Sequence, residues 1–213
     1  MPEKRESNYE RQSRIWAEKF RGVDMRAVMG RLPEIRHEDG MYKIGYFGRT
    51  LAMAEPDMDI VALDDQPLDL NDKFNYYTLM WYCKDGAALS GTWVPFAQLR
   101  GASPFDPAYQ KTLIRPFADT FSGKTEALRR GAQALGATML PHSDVGFEVR
   151  SFDCIPLRCL FWDGDEEFPA NANILFDASA TDFIHVESVV TIAGAFFDHL
   201  SRAAGVEQKG VTF

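Results

Sequence analysis

The stretch Phe161–Asp177, FWDGDEEFPANANILFD, is the densest concentration of chemically capable side chains in the sequence. Asp163, Asp165, Glu166 and Glu167 directly follow an apolar run of strand character. A second such run, Asn173–Phe176, leads into Asp177. Calcium and magnesium take carboxylate oxygens, so Asp163, Asp165 and Glu167 form a candidate site for a divalent cation. The spacing lacks the alternating oxygen ligands, central glycine and distal glutamate of a calcium loop. Asp163–Gly164 is equally a hairpin-type dipeptide, and acids in a strand connection need only solvation. Further on, residues 184–187 read IHVE. In an extended chain His185 and Glu187 share a face, and with Asp177 they make a His/carboxylate set acceptable to a transition metal. At a helix start the same residues have a plainer role. Glu187 then favours the N-terminus through the macrodipole, and Asp177 caps the short segment Ala178–Phe183.

Aromatic residues give a second candidate site. Tyr46, Phe47, Trp93 and Trp162 are expected to line a concave ligand pocket, with the acids at its edge. Gly45 and Gly48 flank Tyr46–Phe47, but this is no phosphate loop, because the Lys-Ser/Thr end and the strand-to-helix setting are missing. Ser122–Thr125 reads SGKT, yet residue 118 is Ala where a phosphate loop requires Gly. No nucleophile elbow is present. Cys154 and Cys159 lack the two-residue gap of zinc knuckles and redox pairs. With Cys83 they are expected to be buried free thiols.

These residues must be positioned by regular elements. Trp16, Phe20, Val23 and Ala27 mark one face of a helix that Gly22 weakens and Asp24 can restart. Met41–Phe47, Thr50–Met53 and Asp59–Leu63 alternate as short strands, which predicts a three-stranded antiparallel meander. Leu70, Phe74, Tyr77 and Trp81 predict a second helix face, with Asp69 or Asn71 as its cap and Gly86 as its end. Thr92–Val94 is a short extended piece. Asp106–Pro107 opens a helix that must end or kink before Pro116. Leu128, Ala132 and Leu135 face inward from the next helix. Gly146–Phe152, Ile155–Trp162 and Asn173–Phe176 are strands. Val189, Ile192, Phe196 and Leu200 then form the face of a last helix, stopped by Gly205. Strands fall in two blocks, about 41–63 and 146–176, and do not alternate one for one with helices. The expected class is therefore α+β, a mainly antiparallel sheet packed with amphipathic helices.

A chain of 213 residues with 46% hydrophobic residues and 16 Phe can fill one core, and no linker divides it. A single domain over 1–213 is expected, with frayed ends about 1–8 and 206–213. The formal charge of −8 and the scattered Lys and Arg argue against nucleic acid as a partner. No apolar run approaches a membrane span, and neither a signal peptide nor a disulfide framework is visible. The expected setting is cytoplasmic.

Several segments together carry a family resemblance. They are Tyr46–Gly48, Gly91–Phe96, Leu135–Gly136, Phe161–Pro169 and Ile174–Asp177, the last two being the most specific. The chain resembles, over roughly residues 10 to 203, a family of proteins of anaerobic bacteria and archaea classed as a domain of unknown function. Some relatives are similar to fusions with a four-cysteine iron–sulfur module, which these three cysteines do not match. The resemblance implies an anaerobic setting and the neighbourhood of corrinoid or redox cofactor metabolism. It supplies no catalytic residues. Three readings follow. One is an accessory protein that binds a small molecule or a divalent cation. Another is a carboxylate/His enzyme, metal-assisted or acid–base. The third is a non-catalytic interaction domain that binds a protein partner or forms a homodimer.

Overall fold

The computed structural model describes residues 8–210. It shows an α+β fold with two antiparallel sheets. Helices α1 (Asn8–Phe20) and α2 (Met25–Arg31) are separated by a bend. The Asp24 side chain restarts the helix by accepting from the Arg26 and Ala27 N–H groups. The first sheet runs β1 (Arg36–Glu38), β2 (Met41–Tyr46), β3 (Arg49–Ala54) and β4 (Asp59–Ala62), in that order. It has one strand more than the expected meander. The added strand, β1, is fully exposed and polar, so no apolar alternation announces it.

Helix α3 (Leu70–Tyr82) follows, and then the edge strand β5 (Trp93–Pro95). The chain from Asp106 to Phe121 is helical throughout: α4 (Asp106–Tyr109), a π-helical turn (Gln110–Ile114) and α5 (Arg115–Phe121). Of the expected end or kink before Pro116, there is no end, but the α-helix gives way to the π turn just before it. Proline lacks an N–H, and the wider π turn, in which Arg115 N–H reaches the Gln110 carbonyl, carries the helix past it. Helix α6 (Thr125–Ala134) leads into β6 (Thr138–Leu140), β7 (Val145–Phe152), β8 (Ile155–Trp162) and β9 (Asn171–Asp177). The second sheet has the order β5-β9-β8-β7-β6. The chain ends in α7 (Ala180–Phe183) and α8 (Val186–Ala204), and Gly205 closes α8 in the left-handed region.

One face of the second sheet supplies Phe147, Val149, Leu157, Cys159, Phe161, Ile174 and Phe176 to the core. Phe196 of α8 packs there on Phe147 and Phe117. The two sheets meet where Phe47 N–H donates to the Ser151 carbonyl at 3.0 Å. Helix α3 is rotated from its expected face. Trp81 is 44% exposed, whereas Asp72, Asn75, Tyr76, Tyr77, Leu79 and Met80 are buried. The rotation puts two polar residues in the core, where α8 and β2 supply their hydrogen bonds. Of the ends expected to fray, residues 1–7 and 211–213 lie outside the described residues. Gln208 and Lys209 hydrogen-bond to Asp198 and Thr120. Among the described residues no helix is long and apolar enough to cross a membrane.

The β2–β3 turn fixes how this part of the fold approaches α6. Phe47 and Gly48 both adopt positive φ, 46° and 76°. A Cβ on Gly48 would lie 3.1 Å from the Leu135 carbonyl. Gly48→Ala is therefore expected to lower the unfolding free energy by about 1–3 kcal/mol in urea titrations. An unchanged midpoint and slope would contradict this account of the turn.

Candidate functional site

Three elements converge on one buried carboxylate. Strand β2 ends at Tyr46, α3 presents Asp72 and Asn75, and α8 presents Thr191, His199 and Arg202. Tyr46 Oη donates to Asp72 Oδ1 at 2.9 Å, and His199 Nε2 lies 3.0 Å from the same oxygen. The Asp69 backbone N–H donates to Asp72 Oδ2 at 3.1 Å. Asn75 Nδ2 donates to Tyr46 Oη at 3.0 Å, and Thr191 Oγ1 bonds Asn75 Oδ1 at 2.6 Å. Asp72 is 1% exposed and His199 7%. On the far side of the imidazole, Arg202 Nη2 lies 3.3 Å from His199 Nδ1, while Nη1 donates to Asp69 Oδ2 at 3.0 Å.

This geometry assigns the protons. A guanidinium only donates, so His199 Nδ1 is the nitrogen with the lone pair and Nε2–H points at Asp72. Burial pushes the Asp72 carboxyl upward, but the His199 and Tyr46 hydrogen bonds outweigh it, and the group ends below the usual carboxylate range. Burial, and then the Asp72 charge, push the Tyr46 phenol well above its ordinary value. At neutral pH the centre is therefore a carboxylate held by a phenol O–H, an imidazole N–H and a backbone N–H.

A cavity of about 350 Å³ opens beside His199 and Arg202, with Phe47, Gly48 and Leu135 among its other walls. Arg49 lines it too, and is held in place by its own bonds. It donates to both Asp64 oxygens at 3.1 and 2.6 Å and to the Pro67 and Gln66 carbonyls. A second cavity, about 330 Å³, lies beyond the Gly48–Arg49 turn and has Tyr46 in its wall. Outside Arg202 runs a wider groove of about 820 Å³, lined by Asp69, Asp198 and Gln208 among others. The 350 Å³ cavity can seat a small molecule, and an aspartate-backed imidazole at its wall can accept a hydrogen bond or a proton.

The residues singled out from sequence lie elsewhere for the most part. Asp163 Oδ1 accepts from the Gly123 and Gly164 N–H groups, both at 2.8 Å. Asp165 Oδ1 accepts from Glu167 and Phe168, and these backbone bonds hold its carboxyl below the usual range. Glu166 and Glu167 are exposed. Asp177 accepts from Ser90, Gly91 and Ser179. Burial raises its carboxyl, but those bonds win and bring it down to about 2. IHVE is not extended: His185 caps α8 by accepting from Glu187 N–H, and the Glu187 carboxylate lies 3.9 Å from the ring. Among the described residues, no group of three or more His, Cys, Asp or Glu side chains is disposed to hold a metal ion.

The four aromatic residues divide into two places. Tyr46 and Phe47 pack edge to face and both contact the His199 ring, with centroids 5.7 and 5.3 Å away. Trp93 and Trp162 lie on the outer sheet face, opposite Asp177 and Asn171 at the two ends of β9. They are roughly 20 Å apart at strand rise and share no pocket. The Arg158 guanidinium covers Trp93 at 3.9 Å. All three cysteines are buried free thiols, and burial pushes Cys83 up to about 11.

Sequence reasoning missed Asp72, Asn75, His199, Arg49 and Arg202. A signal existed for the first three. His199 falls three residues after Phe196 and seven after Ile192, on the apolar stripe of α8. Asp72 and Asn75 stand in phase with Tyr76 and Leu79 on α3. A polar residue in phase with a core stripe is a buried polar group in need of partners.

The network gives stability a pH dependence of known sign. The Asp72 carboxyl is lowered on folding, so its contribution is present above the unfolded value near 3.9 and is lost as pH falls through the folded value. Asp72→Asn is expected to cost about 1–3 kcal/mol at pH 7, because the amide sets donors against donors. The gap to the parent protein should narrow as pH falls below about 4 in urea titrations. A gap independent of pH would show that the folded carboxylate is not held by these donors.

Comparison with known proteins gives a family but no neighbour of known activity. No curated protein and no solved structure matches the chain. The family match contains Tyr46, Asp72, Asn75, Thr191 and His199, and Arg202 lies just beyond it. The chain belongs to the family described as a domain of unknown function, DUF3786, whose model matches residues 24–199.

Proposed function

We propose that this protein is a ligand-binding accessory protein of anaerobic metabolism, and that its ligand occupies the 350 Å³ cavity beside His199 and Arg202. One observation carries the reading: the satisfied buried chain Tyr46–Asp72–His199 ends at a cavity wall. A buried carboxylate is an expensive way to pin helices together, and apolar residues of similar volume do it as well or better. Such groups, beside a concavity, mark functional sites. The anaerobic setting rests on the family resemblance. We also place the protein in the cytoplasm, a reading supported by its three free cysteines.

A second reading, acid–base catalysis at the same site, is favoured by the imidazole itself. Asp72 behind Nε2 and a lone pair on Nδ1 are the arrangement of a general base, once Arg202 gives way to a substrate group. The divalent-cation reading finds less support, since the acid-loop carboxylates Asp163 and Asp165 are already engaged by backbone N–H groups.

Ala203 lines the mouth of the cavity from an exposed position, so Ala203→Trp fills it without disturbing the core. Native mass spectrometry of protein purified without denaturation should show a bound small molecule in the parent and none in the variant. Adding back the extracted molecule at about 100 times its Kd should stabilise the parent by about 2.7 kcal/mol, a rise of a few degrees in Tm. Equal retention by both proteins, or no molecule in either and no stabilisation by a metabolite library, would sink the reading.

A further inference from the structure

We infer that the group recognised at the His199–Arg202 wall is an oxyanion, a carboxylate or a phosphate, on a small molecule with an apolar body. This rests on the binding reading above and follows from the hydrogen-bonding balance of the cavity. The acceptors of Asp64 and His199 in its wall are already engaged. Both Asp64 oxygens receive Arg49, and Oδ1 also receives the Gln66 N–H. The Gln66 and Pro67 carbonyls receive Arg49 as well. His199 Nδ1 receives Arg202, and Asp72 behind it receives Tyr46, His199 and the Asp69 N–H.

Donors are left over. Arg202 commits one nitrogen to Asp69 and another to His199. Its Nε–H and the second hydrogens of both Nη atoms have no partner among the described residues. Such uncommitted guanidinium hydrogens suit the oxygens of a carboxylate or phosphate. Arg49 lines the same wall with its charge paired to Asp64, which lines it too. Apart from Gln66 and the paired Asp64, the rest of the lining is small or apolar, with Phe47, Gly48, Ala134, Leu135 and Ala203, and suits a hydrocarbon body. Asp69 competes for Arg202 from outside, in the larger groove, where both residues are about half exposed. An anion bound to the uncommitted hydrogens of Arg202 gains hold if that competitor is weakened.

The test is an NMR titration of the full chain at fixed ionic strength in a phosphate-free buffer. The probes are acetate, inorganic phosphate and acetamide, a neutral shape mimic of acetate. Acetate or phosphate should shift the Arg202 Nε–H and His199 ring signals saturably. Arg202→Gln should weaken that binding by about tenfold or more, the scale of a lost charge-assisted pair. Asp69→Asn, which keeps a capping side chain and removes the competing charge, should strengthen it several-fold. A folding defect cannot produce that gain. Tighter acetate identifies a carboxylate ligand, and tighter phosphate a phosphate ester. If acetamide binds as well as acetate, or Arg202→Gln changes nothing, the oxyanion inference is overturned while the cavity reading stands. If no probe perturbs any lining residue, the inference is overturned, and the mass-spectrometric comparison then decides the cavity reading by itself.

Discussion

Burying the Asp72 carboxylate is the constraint on which the arrangement around the cavity depends. Removing such a group from water costs several kcal/mol unless its oxygens are fully hydrogen-bonded. Here the donors come from β2, α8 and the head of α3 itself. They converge only if α3 turns Asp72 and Asn75 inward and α8 presents His199 at the level of Tyr46. That requirement explains why α3 buries a polar arc and leaves Trp81 half in solvent. It also sets the register of α8 against both α3 and the end of β2.

The same requirement fixes the chemistry at the cavity. Asp72 takes the Nε2–H of His199, so the lone pair of Nδ1 must face Arg202, and Arg202 is thereby held between a core imidazole and a surface carboxylate. Asp69 joins the two ends of this chain. Its N–H binds Asp72 inside, and its side chain binds Arg202 outside. The core network and the guanidinium are thus coupled through one residue at the start of α3. Tyr46 and Asn75, backed by Thr191, complete the bonds on the inner side, and an imidazole so held is a rigid wall.

The legible and illegible parts of this fold differ in how locally they are encoded. β9 alternates over most of its length and β7 and β8 over their middles, where one face meets the core, and all three are rich in apolar and β-forming residues, so the strand block could be read from composition and period. β1 and β6 span only three residues with no buried alternation, and their strand character comes from neighbours already paired. The acid loop was conspicuous because charge density is visible in a sequence. What a sequence hides is that the loop folds its own N–H groups onto Asp163 and Asp165. The Asp72 network was hidden for the opposite reason. Each member is a single polar residue in an apolar pattern, and Asp72 lies 26 positions from Tyr46 and 127 from His199.

Asp177 shows that a buried, strongly acidic carboxylate is not by itself a site. It is as buried as Asp72, and its carboxyl is also lowered. Its partners, however, are backbone N–H groups and the hydroxyls of Ser90 and Ser179, which close the chain before β5 onto the end of β9. None of them can exchange a proton near neutral pH, and Asp177 lines none of the cavities described above. Such a carboxylate ties a loop. Asp72 differs in both respects. It is bonded to a histidine, whose second nitrogen is an acceptor held by Arg202, and that histidine forms part of a cavity wall. The difference between the two aspartates lies in the nature of the donors and in what stands behind them, so depth of burial and depression of the carboxyl do not separate a loop clasp from a network that reaches a cavity wall.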